Sequence, residues 1–255
     1  PKVNKPFKQF LANRVQYQLQ KYAFKKADTI IAQTLQSKEF ITKEFSVSEQ
    51  KINVVPNAIV VAKREKPKSP KKSSLIKILC FGLFDELNGI PFLIDVITKN
   101  KFSHIEFVFA GFGKYTKEVE MLASTRDNVT YLGQLPYKDM MAKLPEHEFL
   151  IIPRLNTLGA QLYIPTKLLE GMYMGVVPIC SDVEGMTCVV DHDEDGLVFK
   201  AAEEDGLVKI LNNLVSIDDE MYLKLRYHAQ QKVSENYTWE SNFEYLKQIY
   251  SKCIN

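Results

Sequence analysis

The chain has 255 residues, 45% of them hydrophobic and 25% charged, with a net charge of only +2. This composition can build one large α/β domain or two small ones, and so small a net charge excludes a general nucleic-acid binder. No apolar run is long enough to span a bilayer and no signal peptide opens the chain. The four cysteines, Cys80, Cys180, Cys188 and Cys253, follow no metal-ligand spacing. Cys80 and Cys180 stand in apolar runs, as expected of reduced, buried thiols in a cytosolic protein. Without an initiator methionine, the chain reads as part of a longer one.

Residues 1–27 carry Lys2, Lys5, Lys8, Arg14, Lys21, Lys25 and Lys26 and no acid. Such a run suits a solvated face or peripheral contact with an anionic membrane surface. Short strands are predicted over 29–32 and 52–55, with a helix over 37–45 between them. Residues 63–74, rich in lysine, proline and serine, read as a linker. A fully apolar strand follows over 76–81, bounded by Gly82, then a helix over 91–99. A strand over 106–110 ends in Gly111-Phe112-Gly113, and a helix over 115–123 follows it. Next come a strand over 129–132, a helix over 137–144 and a buried strand over 149–152. A helix over 166–174, a glycine stop and a strand over 176–180 precede a last strand over 197–199. Helices over 203–214, 219–235 and 239–252 complete the chain. Apolar strands alternating with helices imply a doubly wound parallel sheet covered on both faces. Ligands of such sheets bind beyond the carboxyl ends of the strands.

Within the helix over 166–174, Lys167 falls in the first turn, where the macrodipole disfavours a cation unless an anion also binds there. Glu170 lies three residues on, on the same face. An exposed lysine–glutamate pair and a nucleoside diphosphate site both fit this spacing. Gly111-Phe112-Gly113 could admit a phosphate to backbone amides or could simply form a tight turn. The loop from Gly82 to Gly89 holds Asp85 and Glu86 and is acidic. His192, among Asp191, Asp193, Glu194 and Asp195, reads as an exposed turn histidine without a second fixed metal ligand.

The order of several segments carries a family resemblance. Val54-Val55-Pro56-Asn57-Ala58, Gly82 to Gly89, Ala110 to Gly113 and Asn128 to Gly133 come first. Pro165-Thr166-Lys167-Leu168-Leu169-Glu170, Gly175 to Pro178, Asp195-Gly196-Leu197-Val198 and Tyr237-Thr238-Trp239 follow. From about residue 27 onward the chain resembles the donor-binding portion of retaining GT-B glycosyltransferases of family 4. The resemblance implies 1–62 as a remnant of the N-terminal acceptor domain, 63–75 as a linker and 76–235 as a Rossmann-like nucleotide-sugar domain. Residues 236–255 would form a helix returning to the N-terminal domain. The implied reaction is metal-independent and cofactor-free. A sugar passes, with retention, from a nucleotide-sugar to a glycan, lipid-linked or protein acceptor. The implied setting is surface polysaccharide or glycoconjugate synthesis at the cytoplasmic face of a membrane.

By the same resemblance Glu170 would hold the ribose hydroxyls and Lys167 the departing diphosphate. Gly82, Asn88, Gly111, Gly113, Leu135, Arg154, Thr166 and Leu168 would complete the donor site, with the nucleobase along Gly133-Gln134-Leu135-Pro136. The chain departs from the family pattern in four places. Leu83 and Asn88 stand where cations are usual, Leu162 stands eight residues before Glu170 in place of a glutamate, and Cys188 replaces an acid. Arg154 and Lys114 are the nearest residues to replace the two cations. The alternative reading is a non-catalytic, glycosyltransferase-like partner subunit. An unrelated doubly wound module, such as a flavodoxin-like one, leaves the 165–170 block and Trp239 unexplained.

Overall fold

The computed structural model describes residues 5–60 and 75–254; apart from Leu75, the expected linker lies outside them. Two compact units are distinguished, one of residues up to Pro56 with the C-terminal segment from Glu244, the other Asn57–Phe243. In the smaller unit, helix α1 (Lys5–Lys26) precedes strand β1 (Ile30–Ala32), helix α2 (Leu35–Phe45) and strand β2 (Ile52–Val54). β1 and β2 pair in parallel, with α2 as the crossover that parallel pairing requires. Thr34 caps α2 by accepting from the Ser37 N–H at 3.0 Å. Phe45, Val47, Ile30, Ala32 and Ile52 form the unit's core.

The larger unit runs β3 (Ile76–Phe84), α3 (Ile90–Lys99), β4 (Ile105–Gly113), α4 (Thr116–Thr125), β5 (Val129–Tyr131), α5 (Tyr137–Lys143) and β6 (Phe149–Ile152). It continues with α6 (Leu158–Leu162), α7 (Thr166–Tyr173), β7 (Val177–Ser181), α8 (Glu184–Thr187), β8 (Leu197–Phe199), α9 (Glu204–Asn213) and α10 (Asp219–Asn236). Helix α11 (Trp239–Ile254) begins here. The six strands are all parallel, in the order β5-β4-β3-β6-β7-β8. Their strand-by-strand alternation explains the two cores. Ile76, Ile78 and Phe149 face α3, α4, α9 and the start of α10 on one side. Leu79, Phe81, Leu150 and Ile152 face α5, α7, α8 and the end of α10 on the other. Both faces are therefore apolar, as helix-covered parallel sheets require.

β3 and β4 run three residues past their expected ends because Gly82 pairs with Gly111 and Phe84 with Gly113. Gly82, Gly111 and Gly113 have φ of 110°, 156° and 154°, and a Cβ on Gly111 would lie 2.0 Å from the Gly82 carbonyl oxygen. Only glycine permits that approach. The short helices α6 and α8 add to the expected elements, and neither has an apolar period of its own. Thr157 caps α6 by accepting from Ala160 N–H at 3.3 Å, and Gly185 of α8 packs directly on the α6 carbonyls.

Candidate functional site

The strand order reverses between β3 and β6, and a sheet opens its binding crevice beyond the carboxyl ends of the strands at such a point. The end of β3, the residues after β6 and the first turn of α7 meet there. Leu168, Leu169 and Met172 are fully buried and fix α7 on the sheet, so Lys167 and Glu170 share the helix's other side. The Lys167 ammonium donates to the Phe81 carbonyl at 3.1 Å and to Asn88 Oδ1 at 3.2 Å. Gly82, at φ 110°, lies beside it, and a Cβ there would stand in ordinary contact, 3.6 Å from Lys167 Nζ. Burial lowers the Lys167 ammonium to about 8; Cys80 and Asp85 oppose that fall and Arg154 adds to it.

Arg154 is only 9% exposed. Its Nη1 donates to the Tyr163 carbonyl at 3.0 Å, while its buried Nε has no partner. Burial also lowers its guanidinium, with Asp85 acting in the opposite sense. Asp85 Oδ1 accepts from both the backbone N–H and the side-chain amide of Asn88, each at 2.8 Å. Asn88 thus orients its oxygen to Lys167. Two cations and one carboxylate form the cluster, leaving a local surplus of positive charge.

One turn along α7, Glu170 Oε1 accepts from the Tyr137 hydroxyl at 2.8 Å. Burial raises the Glu170 carboxyl and the phenol's hydrogen bond draws it back. Thr166 Oγ1 accepts from Asn57 Nδ2 at 3.0 Å, and the same amide reaches the Ile164 carbonyl at 3.2 Å. Asn57 thereby pins the approach to α7. The Leu168 N–H is engaged by the Pro165 carbonyl at 3.0 Å. Leu135 packs half-buried on the core beneath α5, and beside it Gly133 adopts φ 72° with open space where a side chain would be.

Other sequence-identified groups are occupied within the protein. The Gly111 N–H donates to the Gly133 carbonyl at 2.9 Å and the Gly113 N–H to Thr116 Oγ1 at 2.8 Å. Lys114 pairs with Glu86 at the surface and does not join Lys167 and Arg154. Leu83 is 48% exposed at the end of β3, and Leu162 is buried in α6. His192 Nδ1 accepts from the Val198 N–H at 3.0 Å, a latch across its turn. Asp195, 1% exposed, binds the Asp191 N–H and pairs with Lys232. Among the described residues no group of three His, Cys, Asp or Glu could hold a metal ion. No described helix is long and apolar enough to cross a membrane. Sequence reasoning missed the roles of Tyr137 and Asn57. Asn57 lies in a segment that carries the resemblance, whereas nothing near Tyr137 in sequence points to Glu170.

A family model described as glycosyl transferases group 1 matches residues 76–216. The chain belongs to this family. It is 23% identical over its whole length to an uncharacterized glycosyltransferase of Methanocaldococcus jannaschii, covering 66% of that protein. It is also 23% identical to the UDP-Gal:alpha-D-GlcNAc-diphosphoundecaprenol alpha-1,3-galactosyltransferase of Escherichia coli, with 91% of the chain matched to 62% of that enzyme. This group 1 chain spans between about a third and two thirds of the length of the curated relatives it matches. Among solved structures, HepE of Anabaena in complex with UDP and glucose superposes with a TM-score of 0.76 at 16% identity, over 93% of this chain and 66% of that one. Sucrose-phosphate synthase of Thermosynechococcus elongatus gives 0.77 at 18% identity, over 94% of this chain and 62% of its own. These likenesses establish the GT-B fold for the group 1 chain.

Proposed function

We propose that this chain is the donor-binding portion of a retaining glycosyltransferase that takes a sugar from a nucleotide-sugar. The observation that carries the reading is the convergence of Lys167, Arg154 with its buried, unpartnered Nε, and the start of α7 at the point where the strand order reverses. A diphosphate leaving group develops negative charge as the glycosidic bond breaks, and preorganised cations and helix N–H groups stabilise it without reorganising. Two charge-assisted contacts at ~1.5–3 kcal/mol each would speed departure by about two to four orders of magnitude. Lys167 and Arg154 take the place of the cations missing at Leu83 and Asn88, and they supply the countercharge a metal gives elsewhere. Glu170 accepts from the ribose diol. UDP in the Anabaena structure supports a nucleoside diphosphate as the class of ligand.

The acceptor, a glycan, lipid-linked or protein group in surface polysaccharide or glycoconjugate synthesis, is proposed from the relatives, among which is an enzyme named for a diphosphoundecaprenol acceptor. A cytoplasmic, membrane-facing setting is proposed from the acid-free basic run over residues 1–27. Calorimetric titration with UDP, GDP and ADP tests the donor role. The best ligand should bind about 1–3 kcal/mol more weakly to Glu170→Ala, the range for charged hydrogen bonds, and more weakly in high salt. Affinity insensitive to both would refute the assignment. Leu162 in the core and Leu83 at the strand end favour a second reading, a non-catalytic partner subunit. That reading requires no binding of any of the three at millimolar concentration.

A further inference from the structure

Tyr137 begins α5 immediately after the Gly133–Pro136 loop and is 68% exposed. Its ring contributes little to the core, yet its hydroxyl meets a carboxylate 33 residues away at 2.8 Å. Among the described residues no other group donates a hydrogen bond to the Glu170 carboxylate, whose second oxygen is left to what enters the crevice. A glutamate side chain has three rotatable bonds, and a single firm donor removes most of that freedom before a ligand arrives. Orienting a rotamer-rich side chain in advance saves about 0.5–1.5 kcal/mol on binding, or about two- to tenfold in affinity.

We infer that Tyr137 is a positioning residue for ribose recognition: it holds Glu170 by Oε1 so that the carboxylate is presented to the 2′- and 3′-hydroxyls of a nucleoside diphosphate. The inference rests on the reading of Glu170 as the ribose ligand. A carboxylate accepts up to about four hydrogen bonds, so the phenol and a vicinal diol can be served together. Discrimination between ribose and 2′-deoxyribose then belongs to the pair and not to Glu170 alone.

The experiment is calorimetric titration of the chain with UDP and 2′-deoxy-UDP, and with the guanine and adenine pairs if these bind better. Wild type should prefer the ribonucleotide. Tyr137→Phe should weaken ribonucleotide binding about two- to tenfold and the deoxy form less, so the preference narrows while the melting temperature holds. In a Glu170→Ala background, Tyr137→Phe should add nothing, the signature of two residues acting as one. Equal weakening of both nucleotides, no change, or tighter binding by Tyr137→Phe would overturn the inference; tighter binding would make the phenol a lid. If Glu170→Ala keeps the wild-type preference, the ribose reading itself fails and this inference with it. Absence of binding by any of the six nucleotides would overturn both.

Discussion

Lys167 is a buried cation whose charge has a cost in the fold and, in the proposed role, a use in binding. Its ammonium titrates near 8 in the fold against 10.5 ordinarily, chiefly through burial. The unfolded chain therefore holds its proton more tightly between those values. The penalty on folding is full below about pH 8 and gone above about 10.5, and amounts to roughly 3 kcal/mol. Lys167→Met forfeits the hydrogen bonds to Phe81 and Asn88 at every pH, so its melting temperature relative to wild type should be higher at pH 7 than towards pH 10.5. The same change should lower nucleoside diphosphate affinity at least tenfold, and wild-type affinity should itself fall as pH rises through 8. Thermal denaturation and calorimetry at pH 7 and 9.5 check both signs; an unchanged affinity would make Lys167 a purely structural clasp on Phe81. Asn88 carries a related lesson. It is 8% exposed and bonded to Lys167 and Asp85, so Asn88→Lys would press a second ammonium on the first. That variant should be less stable by ~1–3 kcal/mol, the cost of a buried group losing its partner, although it restores a residue common in the family.

Among the elements, β3 and β4 are decided by glycines. Their paired ends approach so closely that Gly111→Ala would put a methyl group 2.0 Å from the Gly82 carbonyl. Gly133 is also left-handed, at φ 72°, but nothing stands within 4 Å of its missing side chain. Gly133→Ala should cost only the conformational penalty of ~1–2 kcal/mol. Gly111→Ala must also move backbone, adding about 1–3 kcal/mol by the scale of overpacked sites. Denaturant midpoints of the two variants compare these costs directly, and equal losses would mean the β3–β4 contact yields easily. The contrast also bears on function, since the Gly111 and Gly113 amides are spent on Gly133 and Thr116. These glycines shape the crevice wall through packing.

At the scale of the molecule, the proposed reaction has two sides, a donor side and an acceptor side. The groups proposed to hold the donor lie within Asn57–Phe243, and the relatives extend well beyond the matched length. The isolated chain should therefore bind its nucleotide and transfer no sugar, and EDTA should leave that binding unchanged. Radiolabelled sugar transfer by this chain alone, at rates ordinary for enzymes, would contradict the division of labour. EDTA-sensitive binding would contradict the role given to the cations.

Local chemistry by itself determined the sheet, the longer helices that cover it and the face shared by Lys167 and Glu170. Apolar alternation and helical period act over a few residues, and strands buried on both sides leave an unmistakable apolar run. The ordered segments from Val54 to Trp239 carried the family. Tertiary structure alone decided which groups meet. Lys167 finds its carbonyl 86 residues away at Phe81 and Glu170 its phenol 33 residues away, and no local pattern encodes such pairings. Lys114 and Arg154 looked equivalent as replacements for the missing cations. Burial separated them: Lys114 is at the surface with Glu86 as a partner, while Arg154 is enclosed between β6 and α6 with one nitrogen unmatched. A charge held away from water keeps the strength that solvent takes from an exposed one, and that difference arises only when the chain is folded.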